Sequence, residues 1–579
     1  MHDMVIRGGT LVDGTGAAAR EADVVIDGER VTAVIERVRG AAAPRGQQEI
    51  DARGLLVTPG FVDIHTHYDA QATWDPLLLP SGCHGCTTVV MGSCGVGFAP
   101  ARPERREWLI NLMEGVEDIP GSALVEGIKW DWESFPEYLD ALARMPRALD
   151  VGAQLAHGPL RGYVMGERGA KNEAATVEDI EQMAGLVEQA MRAGAMGFST
   201  SRTPLHRALD GEPVPGTTAS LDEVMALGAA MGRAGSGVFQ AAIEHAQVPA
   251  SIPWLARLSR ESGRPVTFNL SQIDEEPELW REGLALLDAE RSPNAAGGAA
   301  RLFAQVAGRA IGIVMGLGTT AHPFVLSQSF LEIMGEPREE QRRLLRNPEL
   351  QARLLAEEPF VLEGPQALIA KLVTTRFERM FALDNDGDGY EPPPSSSLAA
   401  QAAARGVHPR TIALEAMLEG RFLYAPLFNY AAGSLDVLKE LHDHPGTVLG
   451  LGDAGAHCGA ICDGAMPTFM LTHWARDRAG PRMPLERVVA RQTRDTARLF
   501  GLHDRGAIVP GLKADVNVID LEKLAVQPVQ LVNDLPAGGR RLLQKARGYR
   551  NTIVSGVVTV ENDTPTGAVP GRLVRGAAG

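Results

Sequence analysis

The central part of the chain alternates short apolar segments with longer helical ones, and this alternation constrains the fold more than any other feature. Residues 177–193 predict a helix with Thr176 as its N-cap, and residues 195–199 predict the strand that follows. Residues 219–233 and then 238–243 repeat the same order. Alternating helices and strands indicate a parallel sheet with helices outside it. Over a stretch of roughly 250 residues or more, the pattern predicts an α/β fold, a (β/α)8 TIM-like barrel.

Both ends of the chain have a different texture, in which short β-branched segments are separated by glycine turns. Residues 22–26 and 31–34 near the start are such segments, as are residues 551–554 and 557–560 near the end. Neither end is long enough to bury a core alone. We therefore predict one small β-sandwich domain that is formed by both chain ends.

These changes of texture predict the domain boundaries. The small β domain takes residues 1–56 and 506–579, and the barrel takes residues 57–505. From about residue 275 to about residue 410, charged helical segments and a Pro-Ser tract interrupt the barrel rhythm. This stretch predicts an insertion in the barrel, which is placed to form a lid over an active site.

Charge and cysteine content exclude several classes of protein. With 56 Lys+Arg against 72 Asp+Glu, the formal charge of −16 argues against a nucleic-acid partner. The longest apolar runs fall far short of the roughly 20 residues that span a bilayer, so we predict no membrane partner. The first residues lack a basic run followed by an apolar stretch, and five cysteines are too few for a disulfide framework. We expect a cytoplasmic protein, and the sequence leaves its oligomeric state open.

His65 and His67 lie at the end of a predicted strand, after the breaker Pro59-Gly60. Alternate residues of a strand point to the same face, so the two imidazoles can bind one ion together. Imidazole is a common ligand of zinc and of other divalent metals. A chance surface pair is the alternative, and the apolar character of the strand favours the metal site.

Cys94 and Asp453 also follow apolar strands. Cys94 is flanked by glycines, which suits a thiolate ligand, whereas a packing residue and a nucleophilic Cys–His pair are the alternatives. A carboxylate at position 453 can bind an ion and accept a proton from water, and an Asx turn is the alternative. The catalytic groups of such barrels come from the carboxyl ends of strands, which favours the functional interpretation of both residues.

Residues 58–69, which contain both histidines, and residues 92–100, which contain Cys94, resemble the D-aminoacylase (N-acyl-D-amino-acid deacylase) branch of the amidohydrolase superfamily. Residues 504–515 are similar to the segment that re-enters the small β domain in that superfamily. The resemblance covers nearly the whole chain apart from the insertion.

The resemblance implies a role for each candidate ligand. His65 and His67 would share one metal position, and Cys94 would bridge two positions. Asp453 would bind the first metal and act as the general base. His245, after the fifth barrel strand, would be a further ligand. The implied cofactor is one or two zinc ions, with another divalent metal as the alternative.

The sequence departs from the family pattern at two places. Residues 266–272 contain no histidine where the family has one, and Asn269 or Gln272 would offer a weaker oxygen ligand. A single ion is therefore an alternative to two. The lysine and the arginine that would hold a substrate carboxylate are also missing. The remaining candidates for binding the substrate are Arg161, Arg202 and His457, and structural ion pairing is the alternative for both arginines.

The resemblance implies a metal-dependent hydrolase that cleaves a C–N amide bond in a small-molecule substrate, most simply an N-acyl-D-amino acid. The missing cations keep a related activity open, on a peptide-like, cyclic amide or lactone substrate. A non-catalytic barrel homologue is the third alternative, and the retention of Asp453 beside His65 and His67 argues against it.

Overall fold

A computed structural model describes residues 1–36, 44–364, 367–383 and 389–576 of the chain. Eight parallel strands form one sheet in sequential order, with each strand hydrogen-bonded to its neighbour in the chain. Thr66 and Ala454 form a parallel bridge between the first strand and the segment after the eighth, so the sheet nearly closes into a barrel. This confirms the predicted (β/α)8 fold. The barrel strands are β1 Phe61–Thr66, β2 Cys86–Met91, β3 Asp150–Ala156, β4 Gly197–Arg202, β5 Val238–Ile243, β6 Val266–Asn269, β7 Leu302–Val306 and β8 Thr447–Leu449.

Helices connect the strands and begin and end where the sequence signals predict. Thr176 accepts a hydrogen bond from the amide of Asp179 in a capping box, and Gly194 ends the same helix in the left-handed region. Helices in the connections are Arg106–Glu117, Gly121–Gly127, Phe135–Arg144, His157–Met165, Glu167–Ala170, Val177–Ala193, Leu221–Ala234, Val248–Ser262, Leu279–Arg291, Asp436–Asp443, Met466–Phe469, the π-helical Met470–Asp477, Leu485–Arg491 and Arg494–Leu499. Single 3₁₀ turns are Gln71–Thr73, Ser81–Cys83, Pro103–Arg105, His245–Gln247, Phe377–Arg379, Pro394–Ser396, Asp463–Ala465 and Pro536–Gly538.

A long insertion lies between β7 and β8. It contains a three-stranded sheet and a hydrophobic core of its own, which includes Phe324, Leu345 and Met417. The sequence pattern predicts that the insertion starts near residue 275, but in the structure it starts after Val306. Residues 279–306 instead form a barrel helix and then β7. The charged composition of that helix hid the barrel pattern. The insertion has strands Gly312–Met315, Phe381–Ala382 and Leu423–Pro426 and helices Gln328–Leu331, Arg338–Leu344, Pro348–Ala356, Ala367–Thr375, Leu398–Arg405 and Pro409–Leu418.

Strands from both chain ends share one nine-stranded sheet, as the texture of the sequence predicts. Leu56–Pro59 pairs with Val516–Ile519, so the two ends meet directly, and Gly60 separates this sheet from β1. The sheet has its own core, which includes Ile6, Val24, Val516 and Ile553. Its strands are His2–Leu11, Arg20–Asp27, Arg30–Glu36, Gly46–Asp51, Leu56–Pro59, Val516–Ile519, Tyr549–Val554, Val557–Glu561 and Thr564–Pro565. Two short pairs complete this region, Ala525–Val526 with Ala546–Arg547 and Gln530–Val532 with Arg541–Leu543.

Across the described residues, no helix combines the length and the apolar character that crossing a membrane requires. The cytoplasmic location and the boundaries between the small β domain and the barrel, at residues 56/57 and 505/506, stay predictions.

Candidate metal centre

His65 and His67 lie at the carboxyl end of β1, where the strand leaves the barrel. Both imidazoles are buried, each with 1% of its surface exposed. A main-chain hydrogen bond joins this segment to the one that follows β8: the amide of Asp453 donates to the carbonyl of His65 over 3.1 Å. The barrel closure therefore fixes β1 and the segment after β8 relative to each other at the place where their side chains meet.

Cys94 follows β2 and reaches the same end of the barrel from the neighbouring strand. Its backbone is left-handed, with φ of 58°, and its amide donates to the side-chain oxygen of Gln240 on β5 over 2.8 Å. The next residue, Gly95, is packed so closely that a Cβ there would lie 2.6 Å from the amide nitrogen of Ser201. The glycine that flanks Cys94 thus permits the close backbone approach that turns the sulfur inwards.

Asp453 completes the group from the end of β8. Its Oδ1 lies 3.2 Å from Nε2 of His65 and 3.4 Å from Nε2 of His67. Nε2 of His65 also lies 3.2 Å from the sulfur of Cys94. In the described part of the chain, the cluster of three or more potential donors whose atoms all lie within 4.8 Å of one another consists of His65, His67 and Cys94.

Two oxygens set the orientation of the imidazoles. Oε1 of Gln305, on β7, is hydrogen-bonded to Nδ1 of His65 at 2.7 Å, whereas Oε1 of Glu117 lies 3.2 Å from Nδ1 of His67 as an ion-pair contact without hydrogen-bond geometry. An oxygen at Nδ1 favours the tautomer that carries its proton there and leaves the Nε2 lone pair free. Both Nε2 atoms are therefore available as metal ligands on the side that faces Asp453. Nitrogen, sulfur and carboxylate donors in one buried group fit zinc or a similar divalent ion.

The pKa shifts in this group have the direction that a cation site requires. Burial by itself would raise the pKa of the Cys94 thiol, but the adjacent imidazoles of His65 and His67 lower it below its ordinary value. Burial likewise opposes ionisation of Asp453, yet the same two imidazoles hold its pKa well below the usual range. Thiolate and carboxylate are the forms that bind a metal ion.

His245 lies next to the carboxyl end of β5 but outside the clustered donors. Its ring packs 4.2 Å from the ring of Phe428, and burial lowers its pKa to about 4. Its Nδ1 has no hydrogen-bond partner among the described residues. The structure therefore places His245 at the correct end of the barrel without bringing it to the other ligands, and its role stays a prediction.

The two amides considered as weaker ligands differ in availability. Asn269 is engaged by β5, because its Oδ1 accepts the amide of Ile243 over 2.6 Å and its Nδ2 donates to the carbonyl of the same residue over 3.0 Å. Gln272 donates to the carbonyl of Ile273, and its oxygen has no partner within the described ranges. The oxygen of Asn269 is thus committed to the fold.

The predicted substrate-binding arginines have structural contacts. Arg161 is buried and its guanidinium pairs at 2.5 Å with Glu223, which also lies 2.8 Å from Nε2 of His157. Arg202 donates to the carbonyls of Gly216 and Ala219. The hydroxyl of Ser199, on β4, is hydrogen-bonded to the main chain of Gly92 and Gly95 in the loop that contains Cys94. Successive side chains of a strand point to opposite faces, so Arg202, three residues further along, points away from that loop.

His457 is the predicted substrate-binding residue that lies beside the centre. It is four residues beyond Asp453, its side chain is 25% exposed, and its Nε2 lies 3.5 Å from Oε2 of Glu117. His457 is therefore tied to His67 through a shared carboxylate.

Sequence reasoning missed Glu117 and Gln305, although each carries a signal. Glu117 follows Met113 by four residues, so it falls on the buried stripe of its helix, where a carboxylate is out of place. Gln305 is the polar residue of the otherwise apolar strand β7. A polar residue on a buried face requires a partner, and for both residues that partner is a candidate ligand.

Comparison with known proteins places this geometry in a family. The model of the amidohydrolase family matches residues 48–560. A D-aminoacylase of Alcaligenes xylosoxydans xylosoxydans is 33% identical over 293 residues, which are 50% of this chain and 54% of that protein. The matched segment thus spans about half the length of that relative. An uncharacterised protein of Mycobacterium tuberculosis (strain ATCC 25618 / H37Rv) is 28% identical over 546 residues, 90% of this chain and 84% of that protein.

Solved structures agree with the fold. A crystal structure of D-aminoacylase superposes with a TM-score of 0.64 at 23% identity, covering 99% of this chain and 100% of that one. The N-acyl-D-glutamate deacylase of Bordetella bronchiseptica, complexed with zinc and a phosphonate inhibitor, has a TM-score of 0.64 at 22% identity, and 99% of each chain is covered. The resemblance to the D-aminoacylase branch is confirmed, and the chain belongs to the amidohydrolase family.

Proposed function

We propose that this protein is a metal-dependent hydrolase that cleaves the C–N amide bond of a small-molecule N-acyl amino acid. The observation that carries the proposal is the convergence of two imidazole Nε2 atoms, a thiol and a carboxylate from three strand ends at one buried point. The names of the relatives, among them an N-acyl-D-aspartate deacylase that is 35% identical over 198 residues, support this class of reaction.

His65, His67, Cys94 and Asp453 would hold the ion, and zinc suits this donor set. When bound, such an ion supplies Lewis acidity that polarises a carbonyl and makes a water molecule more acidic. We propose one ion, because both side-chain atoms of Asn269 are hydrogen-bonded to Ile243 on β5 and His245 lies outside the cluster of donor atoms.

Asp453 is proposed as the general base. Its pKa lies well below the usual range, so the carboxylate is ionised, and it lies beside both imidazoles, where it can accept a proton from the attacking water molecule. In the reaction, Asp453 accepts one proton from water, and the water oxygen forms a bond to the carbonyl carbon. The C–N bond then breaks, and Asp453 returns the proton to the leaving nitrogen, which departs as an amine.

A second candidate substrate class is favoured by the ion pair of Arg161. Because that guanidinium is held by Glu223 and buried, it does not offer a free anchor for a substrate carboxylate. An amide without a free carboxylate, such as a cyclic amide or a capped peptide, would need no such anchor.

The test is amine release from a panel of N-acyl-D-amino acids, N-acyl-L-amino acids and cyclic amides, with the zinc-loaded protein. Asp453→Asn keeps the size of the side chain and removes the base, so we expect kcat to fall about 10²- to 10⁴-fold. Asp443→Asn, on an exposed position of the preceding helix, is the matched control. Unchanged turnover in Asp453→Asn would refute the assigned base.

Metal content provides a test that does not depend on the substrate. Zinc added to chelator-treated protein should bind with one ion per chain, and Cys94→Ala should lose most of that affinity. A protein that binds no divalent ion after reconstitution would refute the proposed hydrolase as a whole.

A further inference from the structure

Glu117 is a buried carboxylate in an unusual setting. It is the last residue of the helix Arg106–Glu117, in the connection after β2, and 1% of its surface is exposed. Its Oε1 lies 3.2 Å from Nδ1 of His67, and its Oε2 lies 3.5 Å from Nε2 of His457. Throughout the described ranges, no lysine or arginine nitrogen comes within 4 Å of this carboxylate as an ion pair, so the two histidines are its charged or polar partners.

The main chain reinforces the arrangement. The carbonyl of Glu117 accepts the amide proton of His457, which joins the loop after β2 to the loop after β8. Among the described residues Oε2 has no hydrogen-bond partner, and Nε2 of His457, at 3.5 Å, is its charge-pair neighbour. A buried carboxylate oxygen without a donor is costly, and His457 is the cationic or polar side chain placed to offset that cost by charge.

We infer that Glu117 is a positioning residue that orients the metal ligand His67 with one oxygen and the partly exposed His457 with the other. At His67, the negative charge 3.2 Å from Nδ1 favours a proton on that nitrogen and makes the imidazole a stronger ligand of the ion. At His457, it holds an imidazole beside the centre, where that ring can donate a hydrogen bond to the substrate. This inference rests on the proposed metal-dependent hydrolysis and adds the residue that couples ion binding to substrate binding.

His65 provides an internal comparison. Its Nδ1 meets the neutral amide oxygen of Gln305, whereas Nδ1 of His67 meets a carboxylate. A neutral acceptor would suffice to fix a tautomer. The charge at position 117 therefore has a further consequence, which is the stronger electrostatic stabilisation of an imidazole that faces a cation.

The first experiment measures zinc affinity by competition with a chromophoric chelator, in the full chain. Glu117→Gln keeps the shape and removes the charge, so we expect the Kd for zinc to rise about 10- to 100-fold. Glu107→Gln, at an exposed position of the same helix, is the matched control and should leave the Kd within about twofold, because it contacts no ligand. A folded Glu117→Gln protein with the wild-type Kd would overturn the inference.

If Glu117→Gln does not fold, Glu117→Asp takes its place. The shorter side chain keeps the charge but withdraws it from His67, so a Kd several-fold above that of the wild type is expected. A wild-type Kd in this variant would contradict the inference equally. A merely structural role would lower the melting temperature of the zinc-free protein without changing the Kd for zinc.

The second experiment separates the two histidines at saturating zinc. His457→Gln should leave the Kd for zinc unchanged and raise KM, and Glu117→Gln should raise KM to a similar extent. The double variant should show no further increase in KM, because both changes remove the same electrostatic contact. If the increase in KM of the double variant equals the product of the two single increases, Glu117 does not act through His457. The zinc measurement needs no substrate, so failure of the proposed reaction and failure of this inference are distinguishable.

Discussion

Gln305 offers the sharpest test of the centre, because it has one identifiable role and no exposure to solvent. Its Oε1 accepts the Nδ1 proton of His65 over 2.7 Å, and its Nε2 donates to the hydroxyl of Thr267 over 3.1 Å. Gly450 packs directly against the Gln305 side chain, since a Cβ on Gly450 would lie 2.6 Å from Oε1 of Gln305. The amide is therefore fixed from three sides.

Gln305→Met keeps the length of the side chain and removes both hydrogen bonds. The Nδ1 proton of His65 then loses its buried acceptor, which costs about 1–3 kcal/mol. The ring also becomes free to carry its proton on Nε2, where it could no longer bind an ion. Loss of such an orienting partner weakens metal binding about 10- to 100-fold, or about 1.4–2.8 kcal/mol, which agrees with the hydrogen-bond figure.

The assay is competition for zinc with a chromophoric chelator, together with thermal unfolding of the zinc-free protein. Gln305→Glu is the matched control, because its carboxylate still accepts the Nδ1 proton and adds charge, so zinc affinity should be retained or increased. If folded Gln305→Met binds zinc within about twofold of the wild type, the orientation of His65 does not depend on Gln305 and the reasoning is wrong.

Two further predictions concern buried groups away from the centre. Arg161→Met should destabilise the fold by about 3–5 kcal/mol in urea unfolding, because it leaves Glu223 buried without its cation, whereas Arg192→Met at the surface should cost less than about 1 kcal/mol. A variant of Arg161 with normal stability and a raised KM would instead support a substrate role. Burial lowers the pKa of His84 to about 4, below its ordinary 6.5. The contribution of the neutral, buried imidazole to the free energy of unfolding is therefore fully present above pH 6.5 and is lost as the pH falls through 4. With a chelator present, the unfolding free energy of the wild type should fall by about 3 kcal/mol more than that of His84→Gln between pH 7 and pH 4, and equal slopes would contradict this assignment.

The barrel could be predicted from the sequence because local signals and tertiary packing agree there. The helix after Thr176 begins at its capping box and ends at Gly194, and the strand at 238–243 has the predicted bounds. Where the signals conflict, the prediction fails. The helix Leu279–Arg291 is charged on its exposed face, so its sequence predicts part of the insertion, whereas in the structure it leads into β7.

The convergence of the candidate ligands could be predicted for a related reason. A side chain at the carboxyl end of a parallel strand meets those of the neighbouring strands, so His65, Cys94 and Asp453 converge by topology alone. Glu117 follows no such rule, because it comes from the end of a helix whose position depends on packing. The ion pair of Arg161 with Glu223 was also beyond the sequence, since 62 residues separate the two partners.

The centre divides into parts with different freedom to change. His65 and Gln305 come from barrel strands and are fully enclosed, so their geometry depends on the barrel itself. Glu117 and His457 come from the connections that follow strands, where substitutions are tolerated more easily. Glu117 contacts both His67 on the barrel side and His457 in the loop after β8. Substitutions in that loop can therefore change substrate recognition around His457 only as far as Glu117 keeps its contact with His67.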